Sequence, residues 1–456
     1  MTRRVNKADL FEFTTFKQLK ENEFVFNYLV QFTNGEIIKF QEKLILPFAV
    51  KNLDRNSKVL LRQIHTVLGI NYYKLYAPKK VRTPYNLDSR MSAFWNHVYR
   101  YGLGEFAYKN GLRPQALGNF RANKPAKDFV PKPRIFDEEA KYLTGIGGGK
   151  DSIVAWDLLR KMEIRQRAFA LESPSHNNEL RREVILKLDS KALLAVRIPD
   201  LKLEKLRQSG KVYRGHSPMS VIVAFVALFC AYQRKYGGFL VANESSSNEY
   251  NLTWGGIKIN HQWTKTASFE NSLNELLQYL DLPLIYLSVV RPMNELMITS
   301  LFARMPEYHN VFFSCNRSIL DKQGRPKKWC GECAKCASAA LLLAPFLTPK
   351  QISGIIGKNM LADTSNTKLF AELAGFTGDK PFECVCTKEE ARSILRFMHN
   401  SPHYKDFPVV REMAKLYDDE EPVLGIEELL RYKPSKAFPL ALSKKLRRAV
   451  KSYENV

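Results

Sequence analysis

An α/β fold built on a parallel sheet is predicted by three features of the chain. From Lys141 onward, short apolar runs alternate with helical patterns, the arrangement of a parallel sheet covered on both faces. The segment Thr144-Gly-Ile-Gly-Gly-Gly-Lys-Asp-Ser152 places consecutive glycines between a strand-like run and a helical one. The longest apolar run, Val221 to Tyr232, is too short to cross a bilayer and suits a helix buried against such a sheet.

The chain has 456 residues and 45% hydrophobic content, enough for two or three packed domains. We divide it into an N-terminal α+β domain (1–135), a nucleotide-binding domain with a cysteine cluster (136–347) and a mainly helical C-terminal region (348–456). In the first, Phe24, Phe26, Tyr28, Val30 and Phe32 alternate with more polar residues up to Asn34-Gly35, and Glu36 to Ile45 returns as a second strand. Helical periodicity follows at Lys58 to Leu68 and around Phe94 to Tyr101. Between them, Asn71-Tyr-Tyr-Lys-Leu-Tyr76 reads as aromatic core, with stacking of a base or sugar beside Lys74 as the alternative. Pro131-Lys-Pro133 marks a linker.

In the second domain the strand candidates are Tyr142–Ile146, Ala168–Leu171, Leu193–Ile198, Phe239–Ala242 and Ile285–Val289, with a helix at Ile153 to Leu159. Ser217 suits the N-cap of the long apolar helix, Pro218 its first turn, and Gly237-Gly238 its end. In the third, Thr387-Lys-Glu-Glu390 is a capping box before a helix from Ala391 to Met398, and Ile426 to Tyr432 is a further short helix.

Glycines at 147, 148 and 149 let successive backbone N–H groups converge on an anion, and the following helix aims its positive end at the same point. A Walker A loop is excluded because its first glycine would fall on Thr144 and Asp151 follows Lys150. The dinucleotide fingerprint is excluded because its last glycine would fall on Lys150. The remaining pattern resembles the pyrophosphate (PP-loop) motif of ATP pyrophosphatases, Ser-Gly-Gly-x-Asp-Ser, with Gly147 in place of the serine. That resemblance implies an adenine nucleotide alpha-hydrolase-like sheet and cleavage of ATP between its α and β phosphates. Gly147, Gly148, Gly149, Lys150, Asp151 and Ser152 are then the nucleotide-binding residues.

Ligands of such sheets sit beyond the carboxyl ends of the strands, which gathers this loop, Glu172 and Asn243-Glu244 around one crevice. Carboxylates beside a phosphate loop suit magnesium, making Asp151 and Glu244 the candidate ligands. The polar run Asn260-His-Gln-Trp-Thr-Lys-Thr266 brings in His261 and Lys265 as groups that move a proton or hold an anion.

Of seven cysteines, Cys330, Cys333 and Cys336 have ligand spacing, and Cys315 makes a fourth. The set has the ligand count of a structural zinc site. The three closely spaced thiolates equally suit an iron–sulfur cluster, and free buried cysteines are the plainer alternative. Cys230, inside the apolar helix, reads as core. The net charge of +24 suits nucleic acid or a substrate rich in phosphates and carboxylates. Because the basic residues are spread along the chain, nucleic acid is the weaker reading. The opening residues lack a secretory pattern, so a cytoplasmic protein without membrane insertion is expected.

A closer resemblance covers about Ile64 to Glu390. Gly145–Ser152, Gly215-His216-Ser-Pro218, Asn243-Glu244, Asn260-His-Gln262 with Lys265, Phe269-Glu270, Ser314-Cys-Asn316, Trp329-Cys330 with Cys333-Ala-Lys-Cys336, and Lys380-Pro-Phe-Glu-Cys384 together resemble the MurL family of muropeptide epimerases. Asn71-Tyr-Tyr-Lys74 and Gly102-Leu-Gly-Glu-Phe106 resemble its N-terminal region. The resemblance implies inversion of the terminal L-glutamate of UDP-N-acetylmuramoyl-L-alanyl-L-glutamate, with ATP converted to AMP and diphosphate, in peptidoglycan precursor synthesis. On that reading Asp151, His216, His261 and Lys265 are the candidate catalytic residues. Similar loops with four-cysteine sites serve deazaguanine nitrile synthases, and related loops serve tRNA thiolation. A zinc-stabilised nucleic-acid-binding module without turnover is the non-enzymatic alternative.

Overall fold

A computed structural model of the chain describes residues 5, 7–133, 135–174, 178–317, 319–321, 323–417, 423–435 and 438–453. In chain order the strands are β1 (Ala8–Lys20), β2 (Glu23–Phe32), β3 (Ile37–Ile45), β4 (Lys80–Arg82), β5 (Tyr142–Gly145), β6 (Gln166–Glu172), β7 (Leu193–Ile198), β8 (Gly238–Val241), β9 (Leu252–Trp254), β10 (Ile257–Ile259) and β11 (Ile285–Ser288). All but β9 and β10 join one sheet in the order β11-β8-β5-β6-β7-β3-β2-β1-β4. The five strands β11, β8, β5, β6 and β7 are parallel, and β3, β2 and β1 continue the sheet antiparallel.

All five sequence-expected strands of the parallel part are present, each within two residues of its expected limits. The strand β1 was not among the expected elements; its alternation is interrupted by a register shift between Phe13 and Phe16, although Phe11 and Phe13 are fully buried. The chain builds β5, β6 and β7 outward in one direction, then returns to place β8 and β11 on the other side of β5. At this reversal between β5 and β8 the glycine loop and Asn243-Glu244 leave the carboxyl ends of neighbouring strands, the position where such sheets take ligands.

One apolar core covers each face. Helices Lys150–Lys161, Glu295–Ala303 and Ala334–Leu343 share one core with the C-terminal helices, while Arg55–Leu68 and Met219–Gln233 pack with the N-terminal strands on the other. The aromatic stretch belongs to that second core: Tyr72 and Tyr73 are fully buried, and Tyr72 stacks on Tyr28 with ring centroids 5.0 Å apart. Lys74 is buried too, donating to the carbonyls of Gly215 (2.5 Å) and His216 (3.0 Å). No helix among the described residues is long and apolar enough to cross a membrane.

Several local expectations are corrected. Ser217 does not cap the long helix; its hydroxyl donates to Asn71 Oδ1, and Pro218 takes the cap position without a side-chain bond. That helix ends at Gln233, before the glycines. Gly238 instead opens β8 at φ +152°, where a Cβ would lie 2.0 Å from the Ile285 carbonyl oxygen. The helix expected from Ile153 begins at Lys150, so Lys150, Asp151 and Ser152 form its first turn. Thr387 and Glu390 do make the reciprocal capping box.

Candidate active site

The glycine loop leaves β5 and runs into the helix Lys150–Lys161 with Gly149 at its N-cap. Gly148 has φ +95°, and a Cβ there would meet the Phe313 ring at 2.5 Å. Phe313 N–H also donates to the Gly148 carbonyl at 3.0 Å, so the segment leading to Cys315 braces the loop. A Cβ on Gly147 would meet nothing within 4 Å, leaving that side of the loop open. Ser152 Oγ donates back to the Gly149 carbonyl.

Beside the loop, oxygens of Asp151, Glu244 and Glu295 lie within 4.8 Å of one another. Lys150 Nζ reaches Asp151 Oδ1 at 2.5 Å and also pairs with Glu295. Burial pushes the Glu244 and Glu295 carboxyls upward, and the charge of Asp151 adds to both shifts. Three hard carboxylate donors, their charge only partly offset by Lys150 and Lys265, fit a magnesium ion. Glu295 went unnoticed in the sequence, although it lies just past β11, where the carboxyl-end rule points.

Arg291 fixes the loops around these acids. Its guanidinium donates to Glu270 Oε2 at 2.9 and 3.1 Å, to the Glu244 carbonyl at 3.0 Å and to the Lys265 carbonyl at 2.7 Å. Asn243 is held by β11: its N–H donates to Ser288 Oγ and its side-chain amide to Tyr286 OH. Glu172 sits at the end of β6 with both oxygens taken by Arg182, at 2.8 and 2.6 Å.

A second cluster joins Glu105, His216 and His261. His261 Nδ1 is 2.5 Å from Glu105 Oε2, His216 Nδ1 is 3.7 Å from the same oxygen, and the two rings stand 4.4 Å apart. Burial opposes ionisation of Glu105, but His261, Lys109 and His216 outweigh it and bring the carboxyl down to about 2. Burial likewise works against an imidazolium at His261, yet Cys384 and Glu105 raise it to about 9. His216 goes the other way, to about 3, through burial and the charge of His261. One histidine is therefore held charged and its neighbour neutral.

Lys265 connects the two clusters. Its ammonium is 3.2 Å from Gln262 Oε1 and 3.3 Å from Cys384 Sγ, and the charges of Cys384, Glu244 and Asp151 overcome burial to keep it protonated. Glu105 and Cys384 were legible in the sequence only as parts of resembling motifs, because neither has a local partner that betrays its role.

The four cysteines Cys315, Cys330, Cys333 and Cys336 come together as the spacing suggests. Sulfur pairs stand 3.8 Å (Cys315 to Cys333), 3.7 Å (Cys330 to Cys336) and 3.5 Å (Cys333 to Cys336) apart. Thiolates about 2.3 Å from a tetrahedral zinc stand about 3.8 Å from one another. The Gly331 and Glu332 N–H groups point at the Cys336 and Cys330 sulfurs at 3.3 Å, so the residues present fit such an ion.

Family models for the MurL N-terminal domain and the MurL C-terminal domain match residues 2–289 and 311–426. The chain is similar to proteins named UDP-N-acetyl-alpha-D-muramoyl-L-alanyl-L-glutamate epimerase. That of Micromonospora sp. is 32% identical, over 90% of this chain and 91% of the relative. That of Salinispora tropica is 32% identical over 89% and 88%, and that of Xanthomonas oryzae pv. oryzae 29% over 88% of each.

Proposed function

The chain belongs to the MurL family, and on that premise we propose that it inverts the terminal L-glutamate of UDP-N-acetylmuramoyl-L-alanyl-L-glutamate in peptidoglycan precursor synthesis. In this reading the enzyme is of the PP-loop type, and ATP activates the glutamyl carboxylate as an adenylate, with AMP and diphosphate as products. The observation that carries the ATP-dependent step is the open glycine loop entering a helix N-terminus beside Asp151, Glu244 and Glu295.

Activation answers a physical difficulty. A carboxylate resists loss of its α-proton because the carbanion would sit beside a full negative charge, and adenylation removes that charge. The backbone N–H groups of Gly147 to Ser152 hold the polyphosphate, assisted by the helix dipole. Asp151, Glu244 and Glu295 would hold magnesium, which supplies charge neutralisation at the phosphates. Lys265, permanently cationic, draws the substrate carboxylate toward the α-phosphate. His216 and His261, one neutral and one charged, stand beside Lys265 as candidates for handling protons or anchoring the substrate. After inversion, water cleaves the acyl adenylate. Cys315, Cys330, Cys333 and Cys336 would hold a structural zinc, steadying the segment whose Phe313 braces the loop.

The test is incubation of the purified protein with the UDP-linked dipeptide and Mg-ATP in D₂O. Substrate-dependent AMP, deuterium at the glutamate Cα and a D-glutamyl product are expected. AMP without deuterium would move the chemistry away from epimerisation, and neither product from folded protein would overturn the proposal.

A further inference from the structure

Cys384 differs from the other thiols in what surrounds it. Burial pushes the Cys230 and Cys386 thiols up, and Cys315, Cys330, Cys333 and Cys336 face one another. Cys384 faces two cations: Lys265 Nζ at 3.3 Å and the His261 imidazolium, which hydrogen-bonds to it. Burial works against the thiolate here, but those two groups and Lys335 bring the thiol down to about 5. The residue as a whole is half-buried.

The segment bearing Cys384 is pinned although it has no regular structure. Lys380 pairs with Glu249, Asn251 Nδ2 donates to the Pro381 carbonyl at 3.0 Å, Asn316 Nδ2 donates to Glu383 at 2.7 Å, and Cys386 N–H donates to Ser338 Oγ at 3.0 Å. Lys265, the nearest cation, also feels the charges of Glu244 and Asp151. The thiol and two of the acids where the carboxyl group is activated thus act on the same ammonium. Because Cα is bonded to that carboxyl carbon, its proton leaves in the same neighbourhood.

We propose that Cys384 Sγ is the acceptor of the Cα proton of the activated glutamyl residue. This assignment rests on the epimerase reading above. The Cα–H bond breaks, an S–H bond forms, and the electron pair enters the adenylated carboxyl as an enolate. A solvent-derived proton added to the opposite face forms the new Cα–H bond, and hydrolysis of the adenylate leaves the D-glutamyl product. The Sγ proton is then lost to solvent, restoring the thiolate, which the neighbouring Lys265 and His261 cations favour. Neither Lys265 nor His261 competes as acceptor, since each is already protonated, and neutral His216 is a weaker base than the thiolate.

Cys384→Ala and Cys384→Ser, each checked for an unchanged melting temperature, are assayed in D₂O with the UDP-linked dipeptide and Mg-ATP. Pyrophosphate release within a few-fold of the parent, with deuterium at Cα reduced at least about 100-fold, is expected. Retained deuterium incorporation in either folded variant overturns the proposal. If both variants fold poorly, the parent protein decides: iodoacetamide labelling of Cys384 at pH 6.5 is expected to be fast and suppressed by bound substrate, and labelling indifferent to substrate overturns the assignment. An acid-quenched parent carrying the substrate acyl group on Cys384 would also overturn it, making the sulfur a nucleophile. Failure of the underlying reading is distinct: the parent itself would then release no substrate-dependent AMP.

Discussion

The Lys265 ammonium stands 3.3 Å from the Cys384 sulfur, although 119 residues separate them in the chain. Each holds the other in its charged form, and Lys265 does so while also facing Glu244 and Asp151. Lys265→Met should therefore raise the Cys384 thiol toward its ordinary range and slow its iodoacetamide labelling at pH 6.5 by about tenfold or more. Labelling as fast as in the parent would show that Lys265 does not sustain the thiolate.

The pH profile follows from the same cluster. Cys384 is lowered to about 5, so the thiolate is present above that value and is lost as pH falls through it. His261 is raised to about 9, so the imidazolium is present below that value and is lost as pH rises through it. Turnover should be flat between these limits and fall outside them. Glu105→Gln removes one support of the imidazolium, so the alkaline limb should move to lower pH while the acid limb stays near its place; pH–rate profiles of both proteins measure this.

Asp151 raises the carboxyls of Glu244 and Glu295. Asp151→Asn should abolish AMP formation, by at least about 100-fold, without lowering the melting temperature, because it relieves repulsion within a crowded acidic group. Normal AMP release in this variant would remove Asp151 from the reaction, and a large loss of stability would show that its pairing with Lys150 outweighs the repulsion.

The brace between Phe313 and Gly148 couples the thiolate site to the loop. Purified protein should carry about one zinc per chain. Cys333→Ser should lose the metal and weaken ATP binding, measured by calorimetry. Iron–sulfur absorbance in place of zinc, or unchanged nucleotide affinity after metal loss, would contradict the coupling.

Gly148→Ala introduces a Cβ at φ +95° against the Phe313 ring. The backbone strain costs about 1–2 kcal/mol, and the ring must move as well. ATP affinity should fall while the circular dichroism spectrum is retained, and an unchanged affinity would mean that the loop reshapes freely.

What the sequence by itself determined was local or periodic. The five parallel strands were legible because short apolar runs alternate with helical patterns, the glycine loop because three adjacent glycines precede a helix, and three of the four clustered cysteines because Cys330, Cys333 and Cys336 lie three residues apart. The capping box at Thr387 and Glu390 was legible for the same reason, since both partners lie within one helical turn. Tertiary structure decided what depends on contacts between distant segments. It paired β3 with β7, assigned Gly238 to strand pairing instead of a helix end, and turned Lys74 inward onto the Gly215 and His216 carbonyls. It also added Glu295 to the acidic group and set Glu105 and Cys384 beside His261. A glutamate or cysteine in isolation has no periodicity to reveal its task; its charge state is set by burial and by which cations the fold brings within a few ångströms.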